Sequence, residues 1–175
     1  MKRSDLEHIL RASKGITGES EFIVVGSQCI LGPHPDAPRV LRHSMELDLY
    51  PKHRPDLSPM LDGTMGELSQ FHQTFGYRAD GVSPETATLP KGWETRLVKV
   101  SNENTGGAIG WCLDPHDLAY SKLAARREKD IAFVRELLRH DMVGQAHLRR
   151  LISTTHDEAL GQRLTDALEI CLRRA

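Results

Sequence analysis

Almost nothing in the composition of this 175-residue chain points to a partner. Lys and Arg number 23 against 24 Asp and Glu, a formal net charge of −1, so any contact with nucleic acid must use a local patch. Cysteine is scarce. Cys29, Cys112 and Cys171 are odd in number and far apart, which argues against a disulfide framework and suits a reducing cytosol. No apolar run approaches the roughly 20 residues that span a bilayer. The basic start, Met1–Leu6, leads into no apolar segment of the signal-peptide kind. A soluble, cytoplasmic protein without membrane contact is expected. The nine histidines include no His-x-x-x-His pair, and Cys-x-x-Cys is missing too, so the common zinc spacings are not present. Repeats and low-complexity tracts are also lacking. The length suits one domain with a helical appendage.

What is present is an ordered run of elements. Ser4 with Glu7 reads as a capping box opening a helix that Gly15 and Gly18 end. Phe22–Val25 reads as a short buried strand. Gln28–Leu31 reads as the start of a second helix, its positive end facing the Gly26-Ser27 turn. The proline loop Gly32–Pro38 separates it from a strand over Met45–Leu49. A weak helix is expected within Leu57–Leu68 and strands at Tyr77–Val82 and Leu97–Val100. After a turn at Asn102–Gly107 a strand returns over Ala108–Leu113. From Asp114, an N-cap followed by Pro115, the chain becomes helical. One continuous helix is expected from Asp117 to His140, another near Ala146–Ser153, and a last over Asp157–Arg174 bearing Leu160, Leu164, Leu168 and Leu172.

Two stretches carry chemistry. Glu46 and Asp48 sit two apart, so a strand places them on one face, where adjacent carboxylates repel. Alternation alone fits the solvated face of an edge strand as well as it fits a metal site. The preceding strand, ending in Gly26-Ser27, favours the metal site, because magnesium typically takes one or two carboxylates plus substrate phosphates. Gly26 lets a phosphate approach backbone amides, and Ser27 can donate a hydrogen bond. On the continuous helix, Lys122, Arg126, Lys129 and Phe133 would form one stripe. Asp130 would lie at the border of the apolar arc, where it needs a partner such as Arg126 or Arg127. Cys112 reads as a buried structural thiol, and Trp93 and Trp111 as packing anchors.

Ile23-Val24-Val25-Gly26-Ser27 followed by Glu46-Leu47-Asp48-Leu49 resembles the hydrophobic-Gly-Ser and acid-x-acid signature of the polymerase-beta-like nucleotidyltransferase superfamily. Asp117–Arg126 with Lys129-Asp130 resembles the lysine-plus-aspartate motif of AbiEii-type toxin nucleotidyltransferases. The whole chain looks closer still to a bacterial nucleotidyltransferase-like family of unknown function. The resemblance implies an α+β fold. Residues 1–113 would form a polymerase-beta-like core, a mixed sheet with flanking helices, and 114–175 a C-terminal helical segment packed on it as one compact unit.

It also implies Mg2+ on Glu46 and Asp48, and triphosphate contacts at Gly26, Ser27, Lys122 and Arg126. Catalytic roles would fall to Asp48, Lys122 and Asp130. The magnesium would polarise the α-phosphate and activate a hydroxyl, and Lys122 would neutralise the triphosphate. Asp130 would act as metal ligand, base or lysine partner, and in that family it can follow a break between two helices. The acceptor could be RNA or a tRNA end, in a toxin–antitoxin or phage-defence setting with a cognate antitoxin. The chain departs from the pattern in three ways. Glu46 stands where aspartate is commoner, the proline loop lengthens the gap from Ser27 to Glu46, and no third strand carboxylate is obvious beyond the candidates Asp80 and Glu94. Two rival readings follow. One is a catalytically degenerate member that binds a nucleotide or partner, and the other an interaction module that docks through the Leu160–Leu172 ladder.

Overall fold

The computed structural model describes residues 1–173, so the helix end expected at Arg174 lies outside them. Among the described residues the fold is α+β, a five-stranded mixed sheet with seven α-helices. Packing divides the chain into two units. One holds Met1–Thr86 and Leu97–Leu113, the other Ala87–Arg96 and the residues from Asp114 onward.

The first unit is built on β1 (Glu21–Val25), β2 (Glu46–Pro51), β3 (Arg78–Gly81), β4 (Val98–Val100) and β5 (Ile109–Cys112), in the order β3-β2-β1-β5-β4. β1 is antiparallel to β2 and parallel to β5, while β2 is parallel to β3 and β4 antiparallel to β5. The run Phe22–Val25 forms the central strand because both its faces are buried, so it needs no alternation. β2 lies inside the sheet. Glu46 and Asp48 are therefore not on an edge strand, although their face stays partly open to solvent.

Helices α1 (Arg3–Thr17) and α2 (Ser58–Met65) cover one face of this sheet. Leu10 sits over Gly110 and the Ser58 carbonyl over Gly81, both places where a Cβ would collide. Leu6, Ile9, Leu10, Leu61 and Met65 are fully buried, each worth roughly 1.5–3 kcal/mol. By strand alternation the opposite face carries Glu46, Asp48, Tyr50, Arg78 and Asp80. That division of faces positions the site.

Two local expectations are corrected here. α1 is not opened by a Ser4–Glu7 box, since Asp5 reaches back to accept from the Lys2 N–H at 2.6 Å. Glu7 instead is buried, bound by Asn102 at 2.7 Å, Asn104 at 3.0 Å and Arg3 at 3.0 Å. Burial alone would raise its pKa, but these donors outweigh it and hold the carboxyl below its ordinary value. The helix expected at Gln28–Leu31 is a single 3-10 turn, Ser27–Leu31, with no α-helical dipole behind it. The proline loop is clamped from the start of α1. Arg3 donates to the Leu31 and Gly32 carbonyls at 2.5 and 2.9 Å, and the Met1 ammonium to those of Arg42 and Ser44 at 2.7 and 3.3 Å. A short helix α3 (Gln70–Phe75) precedes β3.

The second unit packs α4 (Pro115–Ala125), α5 (Glu128–Arg139), α6 (Gln145–Ser153) and α7 (Glu158–Leu172). Asp114 caps α4 as expected, accepting from the His116 N–H at 2.8 Å. The continuous helix over 117–140 is broken. Arg126 adopts the left-handed conformation at φ 55, and Arg127 becomes the N-cap of α5. The supposed stripe dissolves with it, because Lys122 is buried while Arg126 and Lys129 are exposed. On α7, Leu164 and Leu168 are 0% and 1% exposed, so the middle of the leucine ladder is core and the docking-surface reading loses its centre. Among the described residues no helix is long and apolar enough to cross a membrane.

Candidate functional site

Chemistry on the sheet begins where β1 ends. Gly26 turns the chain at φ 68, a conformation glycine adopts without penalty. Val25 pairs with Asp48, and the pairing brings the carboxylate so close that a Cβ on residue 26 would overlap Asp48 Oδ2. Ser27 is half-buried and opens the 3-10 turn. Glu46 and Asp48 share one face, as alternation requires.

β3 adds two groups to that face. In the parallel register Asp80 stands opposite Asp48, and Arg78 opposite Glu46. Asp80 is thus the third strand carboxylate, whereas Glu94 is exposed in a 3-10 turn of the second unit. Arg78 Nη2 donates to Glu46 Oε2 at 2.5 Å and to Asp80 Oδ2 at 3.3 Å, and its Nε donates to Asp80 Oδ1 at 2.9 Å. Bonding to Asp80 outweighs burial and pushes the guanidinium pKa further up. The sequence reading passes over Arg78. Its signal is the alternation Arg78-x-Asp80, which repeats that of Glu46-x-Asp48.

Three carboxylates offer the hard oxygen donors that magnesium prefers. Side-chain exposures of 33% for Glu46 and 26% for Asp80 leave them open to solvent. Two of the three, however, are engaged by Arg78. Among the described residues no three His, Cys, Asp or Glu side chains converge into a metal-holding group. The donor set suits the ion in kind, but its present arrangement serves an arginine.

The second unit brings Lys122 and Asp130 together. Asp130 is 0% exposed and accepts from Arg127 Nε at 2.6 Å, the Arg127 N–H at 3.3 Å and Lys122 Nζ at 3.1 Å. Burial alone would raise its pKa, yet Arg127 and Lys122 outweigh it and hold the carboxyl below the ordinary range. Lys122 Nζ also lies 5.5 Å from the centroid of the Phe133 ring. Of the roles expected for Asp130, the geometry is that of a lysine partner. Arg127, one of the two partners expected, takes part, while Arg126 stands exposed at the left-handed joint. A second buried carboxylate, Asp117, receives the fork of Arg96 at 2.8 and 2.9 Å, and this fastens the 87–96 segment to α4. There burial wins over Arg96 and the pKa is raised.

Other candidates stand aside. All three cysteines are buried and outside any disulfide, and burial pushes the Cys112 thiol up to about 12 and Cys171 to about 11, which disfavours the reactive thiolate. Trp93 and Trp111 are half-buried. The Trp111 indole N–H donates to Glu21 at 2.7 Å, with the Lys52 ammonium 4.9 Å from its ring centroid.

No curated protein and no solved structure matches the chain. A family model, described as nucleotidyltransferase of unknown function (DUF6036), matches residues 4–170, a span that takes in both units. Covering nearly the whole length, it settles the affiliation: the chain belongs to this family of nucleotidyltransferases of unknown function.

Proposed function

We propose that the chain transfers a nucleotide from a nucleoside triphosphate to a hydroxyl acceptor, using Mg2+ on the sheet face of Glu46, Asp48 and Asp80. One observation carries this reading: the register that sets Asp80 opposite Asp48, beside a turn at Gly26 that has no room for a side chain. When bound, the ion would supply Lewis-acid polarisation of the α-phosphate and activation of the attacking hydroxyl. The chain's own groups do the rest. Asp48, Asp80 and Glu46 provide the oxygens from neighbouring strands, so their spacing is fixed by the backbone pairing. Gly26, having no side chain, would let a phosphate approach its backbone amides, and the Ser27 hydroxyl can donate to the same oxygens. By the family resemblance, Lys122 and Arg126 would be cations for phosphate, with Asp130 orienting Lys122 through their ion pair. The acceptor is RNA, with a tRNA end the first to test. By the AbiEii-type resemblance, the setting is a cytoplasmic toxin–antitoxin or phage-defence system with a cognate antitoxin.

The experiment is incubation of the purified protein with radiolabelled nucleoside triphosphates and bulk tRNA, with and without Mg2+. Label should enter the RNA only with Mg2+, and Asp48→Ala should reduce the rate by about a hundredfold or more. Transfer that survives this substitution would overturn the assignment. A second reading, nucleotide binding without catalysis, is favoured by the engagement of Glu46 and Asp80 with Arg78. It expects triphosphate binding but no transfer with any divalent cation.

A further inference from the structure

Arg78 is placed by strand register and not by a mobile loop. It stands on β3 directly opposite Glu46 and two residues before Asp80. Its guanidinium fork takes one oxygen of Glu46 and both of Asp80, at 2.5, 2.9 and 3.3 Å, with 19% of the side chain exposed. A planar fork can satisfy two carboxylates at once in a way that an ammonium cannot. Its charge opposes the repulsion between Glu46 and Asp80 on neighbouring strands. The lone pairs it uses are those a hard cation would need, so guanidinium and divalent ion compete for the same oxygens.

We infer that Arg78 is a resident counter-cation of the acid face, and that its release from Glu46 and Asp80 sets the affinity of that face for a divalent cation. This rests on the reading of Glu46, Asp48 and Asp80 as the magnesium ligands. The apparent dissociation constant is then the intrinsic one divided by the fraction of molecules in which Arg78 has let go. Arg78 is a positioning residue in this scheme, because it acts on the acids and through them on the ion.

The test counts free Mn2+ by electron paramagnetic resonance against wild type, Arg78→Gln, Arg78→Lys and each of these with Asp48→Asn. Arg78→Gln should bind Mn2+ about tenfold more tightly than wild type. Arg78→Lys should fall between them, and Asp48→Asn should weaken the ion in every background. Equal affinity in wild type and Arg78→Gln, with binding still dependent on Asp48, would overturn the role of Arg78 and leave the magnesium site standing. Mn2+ binding independent of Asp48 in all variants would overturn the magnesium site itself, and the role of Arg78 with it. Should Arg78→Gln fail to fold, the unaltered protein gives the answer by NMR. The Arg78 Nε–H resonance should move on Mg2+ addition with the midpoint of ion binding. A resonance that stays put while the ion saturates would overturn the inference.

Discussion

The acid face of the sheet and the α4–α5 joint solve opposite versions of one electrostatic problem. On the sheet Glu46 and Asp80 share the guanidinium of Arg78, with Asp48 on the same face, and the groups stay partly open to water. At the joint one carboxylate, Asp130, is fully buried between two cations, Lys122 and Arg127. The first has negative charge in excess and exposure enough to exchange its cation. The second has positive charge in excess around an acid that water cannot reach. The difference teaches which of the two is built to change partners. An ion pair that must open for function belongs near solvent, where breaking it costs little. A buried one is costly to break and serves to fix geometry.

The sharpest way to break this comparison is Asp130→Ala, which leaves the Lys122 ammonium, only 11% exposed, without its counter-charge. It should cost about 3–5 kcal/mol in urea unfolding, and a loss under 1 kcal/mol would show that the joint is as yielding as the sheet face. Next comes Gly26→Ala. A left-handed alanine is strained by about 1–3 kcal/mol, and its Cβ must also push Asp48 aside. The variant should therefore lose both stability and divalent-ion affinity, whereas loss of stability alone would detach Gly26 from the site. A smaller effect of opposite sign is expected from Arg126→Gly, which relieves a non-glycine left-handed residue and should stabilise by about 1 kcal/mol. Triphosphate affinity should fall in the same variant if Arg126 contacts phosphate.

The smallest effect lies in pH dependence. Asp130 is held below the ordinary carboxylate range, so its contribution is fully present above about pH 4 and is lost as pH falls through the folded value. Asp117 is shifted the other way. Its contribution is present below about pH 4 and is lost as pH rises through the raised value. Stability measured against pH should therefore lose an acid-side decline in Asp130→Asn, and a decline towards neutral pH in Asp117→Asn.

Much of this was legible in the sequence where the signal was local. The apolar run at Phe22–Val25, the Glu46-x-Asp48 alternation and the Asp114-Pro115 helix start each depend on neighbours in the chain, and each took the form its chemistry dictates. What escaped depends on distant partners. Asp80 stands among the expected candidates for a third strand carboxylate, but only the parallel register of β3 on β2 sets it opposite Asp48 and brings Arg78 to Glu46. Glu7 matched a capping box by spacing, but the stronger claim on it came from Asn102 and Asn104, far along the chain. The helix break at Arg126 carries neither glycine nor proline. It is held by the Arg127–Asp130 cap and the Lys122 pair, contacts that exist only once the joint has formed.

The strand order also has a consequence for how the molecule comes into being. β1 meets β2 after a modest loop, but its other edge waits for β5, and Glu21 is bound to Trp111 across 90 residues of chain. Glu7 finds Asn102 across 95. Closing such long loops is slow, because the entropy is lost before the contacts form. On the ribosome β1, β2 and β3, and with them the acid face, emerge well before the strand that completes their sheet. Until β5 arrives the buried run Phe22–Val25 has an unpaired edge, so the interval of aggregation risk in synthesis ends with residues 109–112.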